Sequence, residues 1–174
     1  EYLTTLNLLG YCYLMTKQYP QANEVYQREL KARELADDRE NQAKTYHQLG
    51  RVAQELREYA EARSHYQQAL DIKIEYQDRY SQASTYHQLG MVSQALREYG
   101  EARSHYQQAL DIKIEYQDRY SQASTYSQLG LLSESLKDFE QAQLHHLEDL
   151  RICVEFNDQR RMTFTLGNLN RVYS

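Results

Sequence analysis

The densest group of side chains capable of chemistry lies near the carboxyl end, where two histidines precede two acidic residues. His145, His146, Glu148 and Asp149 are all potential metal ligands or proton-transfer groups. On a helix, His145 and Asp149 would share a face, because residues four apart lie one turn apart. A zinc site needs three or more converging protein ligands. The spacing therefore predicts no metal site, and we expect no cofactor.

The other histidines recur at a fixed interval, which favours a role in packing over a role in catalysis. His65 and His105 precede His145 at steps of 40 residues, and His47 and His87 form a second such pair. The chain has no glycine-rich phosphate loop, no G-x-S-x-G nucleophile elbow and no H-E-x-x-H zinc motif. We therefore expect that the protein is not an enzyme.

The elements that position these side chains repeat every 40 residues. Residues 42–81 and 82–121 differ at five of 40 positions, and Leu-Gly pairs recur at residues 9–10, 49–50, 89–90 and 129–130. A fixed period of 20–50 residues indicates an array of stacked structural repeats. The five differences are Lys44/Ser84, Arg51/Met91, Ala53/Ser93, Glu55/Ala95 and Ala60/Gly100. We predict one array over 1–174, with repeats at about 3–42, 43–82, 83–122 and 123–162, and with 163–174 as a capping helix or the start of a fifth repeat.

Each repeat is predicted to contain two helices. In the second repeat Tyr46, Leu49, Gly50 and Ala53 follow the i, i+3, i+4, i+7 spacing of one helical face. A second helix is expected from 59 to about 76, after a short turn at 56–58. Because glycine inside a helix costs about 1 kcal/mol relative to alanine, its recurrence needs a packing reason. We expect Gly50 and Ala62 to remove bulk where the two helices cross.

An aspartate precedes the first helix of the second, third and fourth repeats, and another precedes the helix that follows the fourth repeat. A carboxylate at this position can accept hydrogen bonds from the unpaired N–H groups of the first turn. We therefore predict that all four are helix caps or turn residues, and that none of them binds metal. These residues are Asp38, Asp78, Asp118 and Asp158.

Composition argues against several classes of partner. The net charge is −5 and 26% of the residues are charged, whereas a nucleic-acid-binding domain normally shows a basic face. No apolar run approaches the roughly 18 residues of a membrane-spanning helix. The only cysteines, Cys12 and Cys153, lack metal-site spacing and fit a reducing compartment. We expect a cytoplasmic protein that binds neither nucleic acid nor membrane.

The pattern of aromatic, Leu-Gly and alanine positions resembles the tetratricopeptide repeat. In the second repeat the matching residues are Tyr46, Leu49, Gly50, Tyr59, Ala62, Tyr66 and Ala69. The resemblance implies an all-α fold, a right-handed superhelical solenoid of stacked antiparallel helix hairpins. The 40-residue period, which exceeds the usual 34, is similar to the kinesin light chain and spindle-orientation adaptor arrays and to bacterial signalling arrays.

The resemblance also implies that the first helix of each repeat lines a concave groove that binds a protein or peptide. Three of the five differences between the near-identical repeats, at 44/84, 51/91 and 55/95, lie on the expected groove face, where they could tune the ligand or reflect neutral drift. The predicted groove residues are Asn7, Tyr11, Met15, Lys44, His47, Arg51, Gln54, His87, Met91, Gln94, Ser127, Leu131, Glu134 and Arg171.

Three functional alternatives are open at this point, and the first is binding of a protein or peptide in the groove. For this alternative an Hsp70 or Hsp90 tail is not the expected ligand, because Asn7 and Tyr11 occupy the first two positions of the basic clamp of chaperone-tail receptors. The array could instead be the sensor of a larger signalling or defence protein linked to an NTPase or protease. Self-association is the third possibility, if Leu3, Leu6 and Leu9 are exposed at an open end.

Overall fold

Nine α-helices make up the computed structural model, which describes residues 1–173 of the chain. No strand occurs within these residues, so the predicted all-α class is confirmed. The last residue of the predicted array, Ser174, lies outside the described residues. The helices are α1 (Tyr2–Met15), α2 (Tyr19–Leu35), α3 (Arg39–Glu55), α4 (Tyr59–Glu75), α5 (Arg79–Ala95), α6 (Tyr99–Glu115), α7 (Arg119–Ser135), α8 (Phe139–Glu155) and α9 (Gln159–Val172). The turn expected at 56–58 is confirmed.

A three-residue turn joins each helix to the next, and each turn contains one residue in the left-handed conformation. After α1, Lys17 has a φ of 60°, the Gln18 N–H donates to the Tyr13 carbonyl, and the Lys17 N–H donates to the Leu14 carbonyl. This pair of bonds is the Schellman motif, which usually uses glycine at its left-handed position. None of these turns does so here; the residues are Lys17, Asp37, Arg57, Gln77, Arg97, Gln117, Lys137 and Asn157.

The aspartate caps form as predicted at three of the four positions. Asp78, Asp118 and Asp158 each accept a hydrogen bond from the backbone N–H three residues later, at 3.0–3.2 Å. The fourth differs, because the Asp38 carboxylate binds the side chains of Arg33 and Asn41, at 2.5 and 2.8 Å. Asp38 therefore contacts the first turn of α3 through Asn41 and at the same time pairs with Arg33 of α2.

The chain divides into two compact units, Glu1–Val92 and Ser93–Ser174, with the boundary inside α5. In the N-terminal unit, each cluster of buried side chains joins a hairpin to the first helix of the next repeat. One cluster contains Leu14, Ala22, Tyr26, Leu30, Leu49 and Val52, and the other contains Ala53, Ala62, Tyr66, Leu70, Leu89 and Val92. A single hairpin therefore buries its apolar faces only by stacking on the next one.

The C-terminal unit repeats this order of packing with α6 to α9. Consecutive helices contact one another, and α7 also contacts α9. Ala102, Tyr106, Ala142 and Ile152 are fully buried. Leu169 of α9 is also buried, so it keeps the phase of the earlier Leu-Gly leucines. Asn170, at the following glycine position, is exposed.

The recurring glycine makes room for an aromatic ring from the second helix. A Cβ atom on Gly50 would lie 2.6 Å from Cε1 of Tyr66, and one on Gly10 would lie 2.7 Å from Cε1 of Tyr26. Gly130 meets the imidazole of His146 in the same way. The close approach expected at Gly50 is confirmed, and the ring of Tyr66 occupies the space that the glycine leaves.

The first helix is less covered than its counterparts. Leu9 of α1 is 40% exposed, whereas the equivalent Leu49 of α3 is 1% exposed because α2 packs over it. The expectation that Leu6 is exposed was wrong, since this side chain is buried within the first hairpin. Leu3 is half-buried. The open apolar surface of α1 is centred on Leu8 and Leu9.

Candidate functional site

The first helices α1, α3, α5, α7 and α9 carry all the predicted groove side chains. Four of these are exposed, namely Tyr11, Met15, Lys44 and Arg171. Ser127 is buried, at 5% exposed, so it offers little surface to a partner. The others are half-buried: Asn7, His47, Arg51, Gln54, His87, Met91, Gln94, Leu131 and Glu134. Partial burial at the rim of a helix face is compatible with contact to a ligand.

Two glutamines of this face are held by the buried tyrosines. The hydroxyl of Tyr66 donates to Oε1 of Gln54 at 3.1 Å, and that of Tyr106 donates to Oε1 of Gln94 at 2.9 Å. Burial raises the pKa of both phenols, which therefore remain donors. Since each carbonyl oxygen is engaged, each amide nitrogen is left to donate outward. The two glutamines are thus oriented in advance of any ligand.

His47 is a neutral ring in this structure. Burial, together with Lys73 and Arg51, lowers its pKa to about 3. Its Nδ1 lies 3.4 Å from Oγ1 of Thr85, and its ring lies 5.3 Å from that of Tyr66. The residue can therefore offer a hydrogen bond to a ligand but no positive charge for an acidic side chain.

Two buried lysines stand where the sequence analysis assigned no function. Nζ of Lys73 donates to the Ser81 carbonyl at 3.0 Å and to Oγ1 of Thr85 at 2.7 Å. Lys113 makes the equivalent bonds in the next repeat. Burial lowers the pKa of each to about 8. The signal in the sequence was a lysine recurring within the apolar segment I-K-I of both repeats.

The acidic cluster near the carboxyl end is used for internal pairing. Asp149 is fully buried, and its carboxylate accepts from Nε of Arg161 at 2.9 Å and from Oγ1 of Thr165 at 2.7 Å. Glu29 occupies the same repeat position and pairs with Arg33 and Asn7. Among residues 1–173, no group of three or more His, Cys, Asp or Glu side chains could hold a metal ion.

The adjacent histidines have different surroundings. His146 is fully buried, with Nε2 at 2.7 Å from Oε1 of Glu134, whereas the ring of His145 lies 6.2 Å from that of Tyr126. Nη2 of Arg171 in turn lies 3.2 Å from Oε2 of Glu134. The structure therefore brings together two predicted groove residues, Glu134 and Arg171, in one network across α7 and α9.

A pocket of about 470 Å³ lies between α7 and α9. Of its residues, Ser127 is a predicted groove residue and Asp158 is a predicted cap. The pocket is lined by Ser124, Ser127, Gln128, Asp158, Arg160, Arg161 and Phe164. The change at 160 and 161, from Tyr-Ser in the near-identical repeats to Arg-Arg, was the available signal.

Within residues 1–173, no helix combines the length and the apolar character that crossing a bilayer requires.

Comparison with known proteins identifies the repeat. A sequence model described as the tetratricopeptide repeat matches residues 1–75 and 81–153. No curated protein matches the chain.

Several solved structures are similar to the chain over most of its length. BtubC (BKLC) from P. vanneervenii has 22% identity and a TM-score of 0.87, over 97% of this chain and 70% of that chain. A Rap protein complexed with Competence and Sporulation Factor has 19% identity and a TM-score of 0.79, over 94% and 46%. A signal transduction ATPase with a tetratricopeptide repeat sensor, from Pyrococcus horikoshii, has 17% identity and a TM-score of 0.89, over 98% and 27%. These identities establish a shared fold, and the chain spans less than half of the last two proteins.

Proposed function

This chain belongs to the tetratricopeptide repeat family, and from that premise we propose that it binds an extended segment of a protein partner against its first helices. Repeats of this family are protein–protein interaction modules and are typically non-catalytic. The free thiols of Cys12 and Cys153 are compatible with a cytoplasmic location, which is part of the proposal.

One observation carries the proposal. The near-identical repeats keep Gln54 and Gln94 tied to their tyrosines, with an amide nitrogen of each free to donate. Around these fixed donors the chain varies positions that are not buried, at 44/84, 51/91 and 55/95. On each of these helices, a fixed polar donor with variable neighbours suits recognition of an extended backbone whose side chains differ.

The test is capture of a partner from the source lysate by the wild-type chain and by Arg51→Glu/Met91→Glu. Both substitutions lie on half-buried positions of the first helices in the N-terminal unit. We expect helical content to survive and a specific partner to be lost, as identified by mass spectrometry.

A matched control applies the same change of charge to second helices. Gln68→Glu/Arg103→Glu also adds two carboxylates and removes one cation, at exposed positions of α4 and α6. This control should retain the partner. Equal capture by both variants would contradict the assignment of the site to the first helices.

The second candidate function is a sensor array within a larger signalling protein. It is favoured by the likeness to the tetratricopeptide repeat sensor of the Pyrococcus horikoshii ATPase, of which the chain spans 27%. The full reading frame of the source gene tests it. An adjoining NTPase or protease domain would favour this candidate, and a frame of repeats alone would contradict it.

A further inference from the structure

The pocket between α7 and α9 differs chemically from the corresponding surface of the near-identical repeats. Arg160 and Arg161 stand where those repeats have tyrosine and serine, at 80/120 and 81/121. Phe164 replaces the serine at 84 and 124. Two cations and an aromatic ring therefore line one pocket between α7 and α9, within a chain whose net charge is −5.

Arg161 is fixed in place by a buried partner. Its Nε donates to Asp149, which is fully buried and is also bound by Thr165. Neither terminal nitrogen of this guanidinium has a hydrogen-bond partner among the described residues, so up to four N–H donors remain. Holding the group in this way lowers the entropy lost when it binds a ligand.

The other groups of the pocket leave a net attraction for an anion. Arg160 is exposed and has no ion-pair partner within residues 1–173. Nζ of the buried Lys113 lies 3.4 Å from Oγ of Ser124, on the pocket wall. Asp158 is the acid of the lining, and its carboxylate already accepts from the Tyr120 hydroxyl and the Arg161 N–H, both at 3.0 Å.

We propose that this pocket binds the carboxylate of a glutamate or aspartate side chain in the partner segment, with an adjoining apolar side chain against Phe164. Asp149 pairs with Nε of Arg161, and Asp158 is the acid whose pKa both arginines lower. Arginine recognises a carboxylate through two parallel hydrogen bonds. Phe164 is 55% exposed and supplies the apolar surface. This inference rests on the proposed binding of a protein segment, and it adds the ligand chemistry at one position.

The test uses two synthetic peptides that differ by one group. Acetyl-Leu-Glu-Leu-amide and acetyl-Leu-Gln-Leu-amide are titrated separately into the full chain labelled with ¹⁵N. The Arg Nε–H signals are followed by NMR, and Arg161 is assigned from its loss in Arg161→Lys. We expect the glutamate peptide to shift the Arg161 signal and the glutamine peptide to leave it in place.

Two variants make the result specific to the pocket. Arg160→Gln removes the exposed cation without disturbing the pair of Arg161 with Asp149, and should weaken binding of the glutamate peptide about fivefold. Arg151→Gln is the matched control, because this side chain is 74% exposed on α8 and lies outside the pocket. It should leave the affinity unchanged.

Several outcomes would overturn the inference. Equal shifts with both peptides would mean that the pocket does not recognise charge. A response to inorganic phosphate but to neither peptide would indicate a phosphate site, and no response at all would mean that the arginines have only a structural role. If Arg51→Glu/Met91→Glu abolishes partner capture while Arg160→Gln and the peptides have no effect, the proposed function stands and this pocket assignment fails.

Discussion

The contact between the helices of a hairpin is built differently in the second repeat and in the fourth. In the second, the Tyr66 ring packs against Gly50 and its hydroxyl donates to the half-buried Gln54. In the fourth, His146 packs against Gly130 and lies 2.7 Å from Glu134. The contact between the glycine and the ring is the same in both repeats. The neutral pair of Tyr66 and Gln54 is replaced by the ionisable pair of His146 and Glu134.

In the first repeat the buried aromatic residue has no polar partner on the facing helix. Leu14 stands at the position of Gln54 and Glu134, and the Tyr26 hydroxyl is buried without a hydrogen-bond partner. Burial raises the pKa of Tyr26 to about 12. The three repeats together indicate that the glycine and the aromatic ring define the hairpin, while the polar partner can vary.

The largest expected effect comes from filling the glycine contact. Gly50→Ala would place a Cβ 2.6 Å from the fully buried ring of Tyr66. Overpacking of this kind costs up to roughly 3 kcal/mol, against about 1 kcal/mol gained in helix propensity. We therefore expect a net loss of about 2 kcal/mol in the free energy of unfolding, measured by chemical denaturation.

Gly167→Ala is the control for this substitution. No atom lies within 4 Å of a Cβ built at Gly167, which is also inside a helix. This variant should be more stable than the wild type by up to about 1 kcal/mol. Similar destabilisation by both substitutions would mean that Tyr66 does not limit the space at Gly50.

The second-largest expected effect is a pH dependence of stability. It distinguishes the second and third repeats, which bury a lysine, from the fourth, which has Cys153 at that position. Because the folded pKa of Lys73 is about 8 and its usual value is 10.5, the unfolded chain binds more protons between these values. Its contribution to stability therefore rises with pH across this window, by roughly 2 kcal/mol between pH 8 and 10.

Lys113 has the same lowered pKa of about 8 and contributes an equal rise. Lys73→Met should therefore remove about half of the rise measured by denaturation at pH 7, 8, 9 and 10. Lys31→Met, on the exposed face of α2, should keep the slope of the wild type. An unchanged slope in Lys73→Met would show that this amine is not desolvated in the folded chain.

The smallest expected effect is the difference in stability between Tyr66→Phe and Tyr26→Phe. Tyr66→Phe leaves the acceptor Oε1 of Gln54 without its donor and should cost about 1 kcal/mol. Tyr26→Phe removes a buried hydroxyl that has no partner and should be neutral or slightly stabilising. Thermal unfolding of the two variants side by side measures the difference. A larger loss for Tyr26→Phe would contradict the role assigned to Gln54.

The sequence predicted the repeat, the two helices of each hairpin and the close approach at Gly50 because these depend on local periodicity. It did not reveal the left-handed residues of the turns, since non-glycine residues such as Lys17 and Arg57 occupy them. It also missed the burial of Lys73 and Lys113, because a lysine at the end of a helix is ordinarily exposed.

The candidate site was only partly accessible to sequence analysis. The helix faces that carry Gln54 and Gln94 followed from helical spacing and from the resemblance to a known repeat. The pairing of their carbonyl oxygens with Tyr66 and Tyr106, 12 residues away, required the packed hairpin. The pocket beside Arg160 and Arg161 required α7 and α9 to lie together, which no local pattern expresses.

By itself, then, the sequence determined which residues form helices and which face of each helix is apolar, because the 40-residue period and the helical spacing are written along the chain. The tertiary structure decided which partner each buried polar group has. Asp149 is an ion-pair partner of Arg161, and His47 is neutral with a pKa of about 3. These properties depend on desolvation and on charges brought close by stacking, which exist only once the helices have packed.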